Sequence, residues 1–265
     1  MDALRRELAP IGQEAWNEID GLARETLKAS LSGRKFVDID GPHGFDYAGV
    51  PLGRLSVPKQ QPAGELRYGL RQVLPLVETR VDFSLDIWEL DNIGRGARDP
   101  DLDALVEACR KIAAFEEKAV FDGFKAGSIV GLHEYAKDRK VAAALDPNAF
   151  LDAVAEGQAL MRRDGVDSPA NLVVSAETWK FLGKNVPGGT LRSIVERQIE
   201  GRVVYSEAVK DALLVSARGG DAELTIGQDL AIGYNGHDST KVSLYLMESF
   251  AFRVITPQAV VGLRL

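Results

Sequence analysis

Cysteine is almost absent. The single Cys109 cannot form an internal disulfide, so the fold does not depend on an oxidising compartment. Histidine is nearly as scarce, with His43, His133 and His237 far apart in the chain. His133-Glu134 opens like the helical pair of zinc proteases, but Lys137 stands where the second histidine is needed. Long apolar runs are missing too. The best candidates, 212–215 and 258–263, fall far short of the ~20 residues of a membrane helix. The first ten residues, MDALRRELAP, are charged and amphipathic rather than leader-like. The expectation is a soluble, cytosolic chain with no membrane partner. Positive charge is in deficit: 32 Lys and Arg against 39 Asp and Glu, a net −7, which disfavours a partner rich in phosphates.

Catalytic signatures are lacking as well. There is no G-x-S-x-G elbow, no Walker loop, and no G-x-G-x-x-G following a strand. Asp99, Asp101 and Asp103 are spaced like a calcium loop, yet Ala104 replaces its turn glycine and Arg110 its final glutamate. These acids are read instead as complementing the positive end of a helix. The pairs Glu116/Glu117 and Asp86/Glu89 are read as solvated helix and strand faces. Trp88 and Trp179 either pack in a core or interface, or offer a face to a planar ligand such as a flavin. No metal site is expected.

What remains is a pattern of elements. Ala15, Trp16, Ile19, Leu22, Ala23, Leu27 and Leu31 have helical spacing, and Gly33 suits a helix end. A short strand is expected over 34–40. Residues 41–70 are dense in Gly and Pro and poor in apolar side chains. They read as a long loop, an open hairpin, or an arm ordered only by a neighbouring subunit. Alternation from Arg80 to Ile87 predicts a strand over 80–90, and an apolar stripe over 102–124 predicts a helix of ~35 Å. Leu102, Leu105, Val106, Cys109, Ile112, Ala113, Val120 and Phe124 form that stripe, which makes Cys109 a core residue. From 132 to 222 an α/β pattern follows, with an N-cap and first-turn proline at Asp146-Pro147 and a glycine-rich loop over 183–190. Asn235-Gly236 signals a hairpin turn, and both faces of 242–255 are apolar.

Five segments carry a resemblance. Leu8-Ala9-Pro10, Gly33-Arg34-Lys35-Phe36-Val37-Asp38, the run Phe83-Ser84-Leu85-Asp86-Ile87-Trp88-Glu89-Leu90-Asp91, Arg218-Gly219-Gly220-Asp221, and Gly227-Gln228-Asp229-Leu230-Ala231-Ile232-Gly233-Tyr234 are similar, in order and spacing, to linocin-like encapsulin shell proteins. The resemblance runs end to end. It implies an α+β fold of the tailed-bacteriophage major capsid (Hong Kong 97) type. Residues 1–40, 73–131 and 223–265 would form its peripheral domain, 41–72 its extended loop and 132–222 its axial domain.

It also implies a structural, non-catalytic subunit of an icosahedral homo-oligomeric cage of the smallest class. Such a cage encloses a ferritin-like protein or a dye-decolourising peroxidase held by a C-terminal targeting peptide, a role in iron storage or oxidative stress. By the resemblance, Arg34, Phe36, Asp38, Asp229, Leu230 and Ile232 would dock that peptide, unless they merely join the first and last parts of a sheet. Gly183, Lys184, Asn185, Val186, Pro187, Gly188, Gly189 and Thr190 would form a pore loop. Their sequence lacks the aromatic residues of some relatives, which leaves pore width and charge open. Two other readings stand beside this one: a viral or prophage capsid protein packaging nucleic acid, and a soluble hydrolase.

Overall fold

The computed structural model describes residues 3–62, 64, 66–167 and 169–265. Helix α1 (Gln13–Ser30) buries Ala15, Trp16, Ile19, Ala23 and Leu27 along one face. A tight 3-10 turn follows at Gly33–Lys35, so the strand expected over 34–40 shrinks to β1 (Asp38–Asp40). Glu117 causes the turn: its carboxylate accepts from the Ser32 hydroxyl and, at 2.7 Å, from the Gly33 N–H.

β2 (Gly49–Ser56) and β3 (Leu70–Pro75) pair as an antiparallel hairpin and lead into β4 (Val77–Asp86). Phe83 and Leu85 are buried on β4 while Asp82 and Ser84 are exposed, the alternation seen in the sequence. The strand does not run on to Leu90. The Asp86 carboxylate accepts the Trp88 N–H at 2.8 Å, and this cap starts α2 (Ile87–Gly94). The spine helix α3 (Asp103–Phe121) is about 28 Å long. It stops short of Phe124 because Gly123, at φ 88°, brings the backbone so close to residues 129–131 that a Cβ would sit 2.8 Å from the Gly131 nitrogen.

Next come α4 (Leu132–Ala136), β5 (Lys140–Ala142) and α5 (Pro147–Arg163). Asp146 caps α5 as expected, accepting from the N–H groups of Asn148 and Ala149 at 3.0 Å. β6 (Ala170–Val174) and α6 (Ala176–Leu182) precede the glycine-rich segment, which is a small hairpin rather than an irregular loop. Its strands β7 (Asn185–Val186) and β8 (Gly189–Thr190) pair Asn185 with Thr190 and Val186 with Gly189. The chain continues through α7 (Leu191–Ile199), β9 (Val203–Tyr205), β10 (Ala212–Ser216), β11 (Ala222–Ile226), β12 (Ala231–His237), β13 (Lys241–Val254) and β14 (Val260–Arg264). Asn235-Gly236 is not the hairpin turn expected from its sequence. It lies within β12 at a register shift, and the turn is made by Asp238, whose carboxylate accepts from the N–H groups of Thr240 (2.7 Å) and Lys241 (2.8 Å).

These strands form two main sheets. In the first, β4 flanks one edge of β13; β12 and β11 share the other, and β1 runs parallel beside β11. β13 is buried on both faces, as its double apolar pattern requires, and α1 and α3 pack over the sheet with Cys109 fully buried. The second sheet has the order β5-β14-β10-β6-β9. The final strand therefore does not stay with the rest of 223–265: β14 pairs with β10 and β5, because Val261 and Leu263 complete the second core and Val260 packs in the cluster between the halves. An apolar cluster that includes Phe121, Phe250 and Phe252 beside Val173, Leu213 and Val215 joins the two halves.

Candidate functional site

A groove of about 660 Å³ runs between α1 and the start of β12. Its apolar floor includes Leu27 and Leu31 from the first segment, with Leu230 just before β12 and Ile232 and Leu246 from the sheet. The 3.6-residue period of α1 turns its apolar face to α3 and leaves Asp20, Arg24 and Lys28 along the rim. Arg6 reaches the same rim, ion-paired with Asp20 at 2.7 Å and placed 3.9 Å over the Trp16 ring. Arg24, Lys28 and Lys35 line the groove with no ion pair among the described residues.

The structure divides the six candidate docking residues. Arg34, Asp229, Leu230 and Ile232 meet at the groove. Phe36 does not: it is 8% exposed and packs against Phe121, with ring centroids 5.9 Å apart. Asp38 lies in a separate depression shared with Asn171 and Asp221, where its carboxylate accepts the Gly220 N–H at 2.6 Å. Arg6, Asp20, Arg24, Lys28 and Lys35 were missed at the sequence level. The signal was present in the i, i+4 spacing of Asp20, Arg24 and Lys28, but a polar helix face says nothing by itself about what lies beside it.

Arg34 sits behind the groove in a node of charge. Its guanidinium donates to both oxygens of Glu116, to Asp229 at 2.8 Å and to Glu248 at 3.0 Å. Glu116 and Glu248 are fully buried, and Glu117 is 6% exposed. Reading Glu116/Glu117 as a solvated helix face is thus wrong. α3 is covered on this side by the 31–37 segment, and hydrogen-bond donors from that segment make burial tolerable. Burial works against the Arg34 charge but is outweighed by Glu116, Asp229 and Glu248, which hold it above the ordinary arginine value. Burial and the neighbouring Glu116 push the Glu248 carboxyl well above the usual glutamate range. Burial raises Glu117 as well, against the opposing pull of Ser32 and Gly33.

The other candidates sit elsewhere. On the small hairpin, the Lys184 ammonium lies 5.0 Å from the centroid of Phe181. Trp88 is 67% exposed on α2, with the Arg95 guanidinium 5.8 Å from its ring. His133 bonds Asp122 at 2.9 Å, and His43 bonds Asp40 at the same distance. Among the described residues no three His, Cys, Asp or Glu side chains gather in a metal-binding arrangement, and no helix is long and apolar enough to cross a membrane.

Residues 1–251 match the Linocin_M18 family model, described as an encapsulating protein for peroxidase. A type 1 encapsulin shell protein of Rhodospirillum rubrum is 42% identical over 271 residues, covering 100% of this chain and 97% of that protein. A virus-like particle from Pyrococcus furiosus superimposes with a TM-score of 0.67 at 13% identity, over 92% of this chain and 97% of that one. The capsid of Myoviridae phage XM1 gives 0.58 at 12% identity, over 88% and 90%. The last two establish the α+β capsid fold of tailed phages. The first two establish kinship and, with it, a structural rather than catalytic role. The chain belongs to the linocin-like family of encapsulin shell proteins.

Proposed function

We propose that copies of this chain close into an icosahedral cage in the cytoplasm, and that the groove between α1 and β12 holds the C-terminal targeting peptide of an enclosed enzyme. The observation that carries assembly is the β2–β3 hairpin. Its Leu55, Leu70 and Val73 are 59–64% exposed, and the adjoining Val57 and Leu66 are 62% and 68% exposed. Only Val50 and Leu74 are buried, near Ala251. So much apolar surface on a two-stranded ribbon calls for a covering partner, and in a closed homo-oligomer that partner is another copy. The exposed Trp88 indole is read the same way, as a contact for a neighbouring copy in preference to a flavin platform.

The groove suits an extended peptide: apolar floor positions give pockets for alternate side chains, and its charged rim orients the chain. A peroxidase is the cargo class we favour, since the family is described as encapsulating one; a ferritin-like protein is the second class. The hairpin over 183–190 is assigned to a pore rim, with Lys184 and Asn185 giving a neutral to mildly positive edge. The net charge of −7 supports an enzyme rather than a genome as contents.

Electron microscopy and mass spectrometry of particles from the native host test this reading. Closed shells containing one enzyme and no nucleic acid are expected. Leu230→Asp should release that enzyme and leave the shell intact. Monomers, or particles filled with nucleic acid, would overturn the proposal.

A further inference from the structure

The node behind the groove places three carboxylates around one guanidinium. The charged groups facing Glu248 come from three directions: Arg34 from the turn after α1, Glu116 from the spine helix, and Asp229 from the approach to β12. β4 contributes only the uncharged Thr79, whose Oγ1 lies 3.5 Å from the Glu248 carbonyl oxygen. Glu117, next along α3, is engaged with Ser32, Gly33 and Ser206. If all three carboxylates around Arg34 were ionised, the node would hold two uncompensated negative charges, with two of its three acids fully buried.

One atom shows how this is avoided. Glu248 Oε2 accepts from Arg34 at 3.0 Å, whereas its Oε1 is fully enclosed and receives no hydrogen bond from any described residue. A buried carboxylate oxygen without a donor is costly, but the same oxygen bearing a proton becomes a donor itself. Glu116 is its charged neighbour: Arg34 Nη2 donates to one carboxylate oxygen of each, which sets the two carboxyl groups side by side.

We propose that Glu248 is kept as a neutral carboxylic acid donating its proton to Glu116, and that loss of this proton loosens the Arg34 node and frees the 31–37 segment from the spine helix. The device is a proton-linked latch. The node ties this segment to α3, β13 and the start of β12 at once, so loosening it opens one wall of the groove. The inference is independent of what the groove receives. A failed cargo experiment leaves it standing, and its own failure leaves the docking reading untouched.

The sign follows from linkage. The latched state binds one proton more than the open state, so raising pH above the ordinary glutamate value favours opening until the latched-state value is passed. In that window opening rises about tenfold per pH unit. Hydrogen exchange of the 31–37 amides in assembled shells, corrected for intrinsic rate, should accelerate in this way in the parent and stay level in Glu248→Gln, whose amide donates at every pH. An infrared pH titration should show a protonated-carboxyl C=O stretch in the parent that is missing from the variant. Glu116→Gln removes the like charge and should shift loss of that band to lower pH, which keeps the test open if Glu248→Gln assembles poorly. Identical exchange profiles in parent and Glu248→Gln would overturn the latch. So would a carboxyl band unmoved by either substitution.

Discussion

Two antiparallel strand pairs in this protein have opposite surroundings. β4 and β13 pair over ten registered positions, from Lys241 opposite Asp86 to Phe250 opposite Val77, and β13 is enclosed on both faces. β2 and β3 also pair antiparallel, over five registered positions with a register shift between Pro51 and Leu55, yet nearly all their side chains face outward, with Leu55 and Leu70 59% and 64% exposed. What differs is where the apolar partner comes from: helices and sheet of the same chain in one case and, in the assembly we propose, another copy of the chain in the other.

Breaking each pair in turn should separate assembly from folding. The largest effect is expected from Leu55→Asp combined with Leu70→Asp. Size-exclusion chromatography should show shells lost entirely, while circular dichroism of the released subunit stays native. A shell that still forms would mean that the hairpin is not an inter-subunit arm. Phe250→Ala acts on the other pair. It removes a fully buried ring from the cluster joining the two halves and should cost about 3–5 kcal/mol in denaturant unfolding. Asp86→Ala is milder, because it removes only the cap between β4 and α2, and a loss of about 1 kcal/mol is expected.

The smallest effect sharpens the contrast through pH. Burial opposes the Asp221 charge, but Arg218, Ser216 and Thr256 outweigh it and hold this carboxyl below the usual value of 3.8. A lowered carboxyl gives stability that is fully present above the ordinary value and lost as pH falls through the folded one. Asp221→Asn should therefore flatten the acid side of the melting-temperature profile and leave its alkaline side unchanged. Glu248, raised by burial, has the opposite sign: the stability it gives is lost as pH rises. Two carboxyls in one chain thus limit the stable range from opposite ends.

Much of the local structure was legible because it is written in periods. The helical spacing from Ala15 to Leu31, the alternation ending at Leu85 and the doubly apolar run of β13 each report a buried face, and the cap at Asp146 marks a helix start. The misreadings share a cause. Ile87 continues the alternation of β4, yet one side-chain hydrogen bond, accepted by Asp86 from Trp88, starts a helix there, and Trp88 and Leu90 fall out of the alternating phase. Asn235-Gly236 has the composition of a turn, but the carboxylate of Asp238 makes a better one three residues on. The resemblance assigned Leu230, Ile232, Phe36 and Asp38 to one docking wall; the first two lie in the groove with Arg34, whereas Phe36 packs on Phe121 and Asp38 accepts from Gly220.

The sequence by itself determined which faces are apolar, where several helices begin, and which family the chain joins, because these depend on neighbours within a few residues or on similarity along the whole length. Only the tertiary structure decided that β14 leaves the first sheet for the second, that Glu116 and Glu248 are enclosed around Arg34, and that the hairpin lies uncovered. The physical reason is that periodicity tells a side chain to seek burial without naming what will bury it. That choice is made by contacts between residues far apart in the chain, such as Arg34 and Glu248, 214 positions apart.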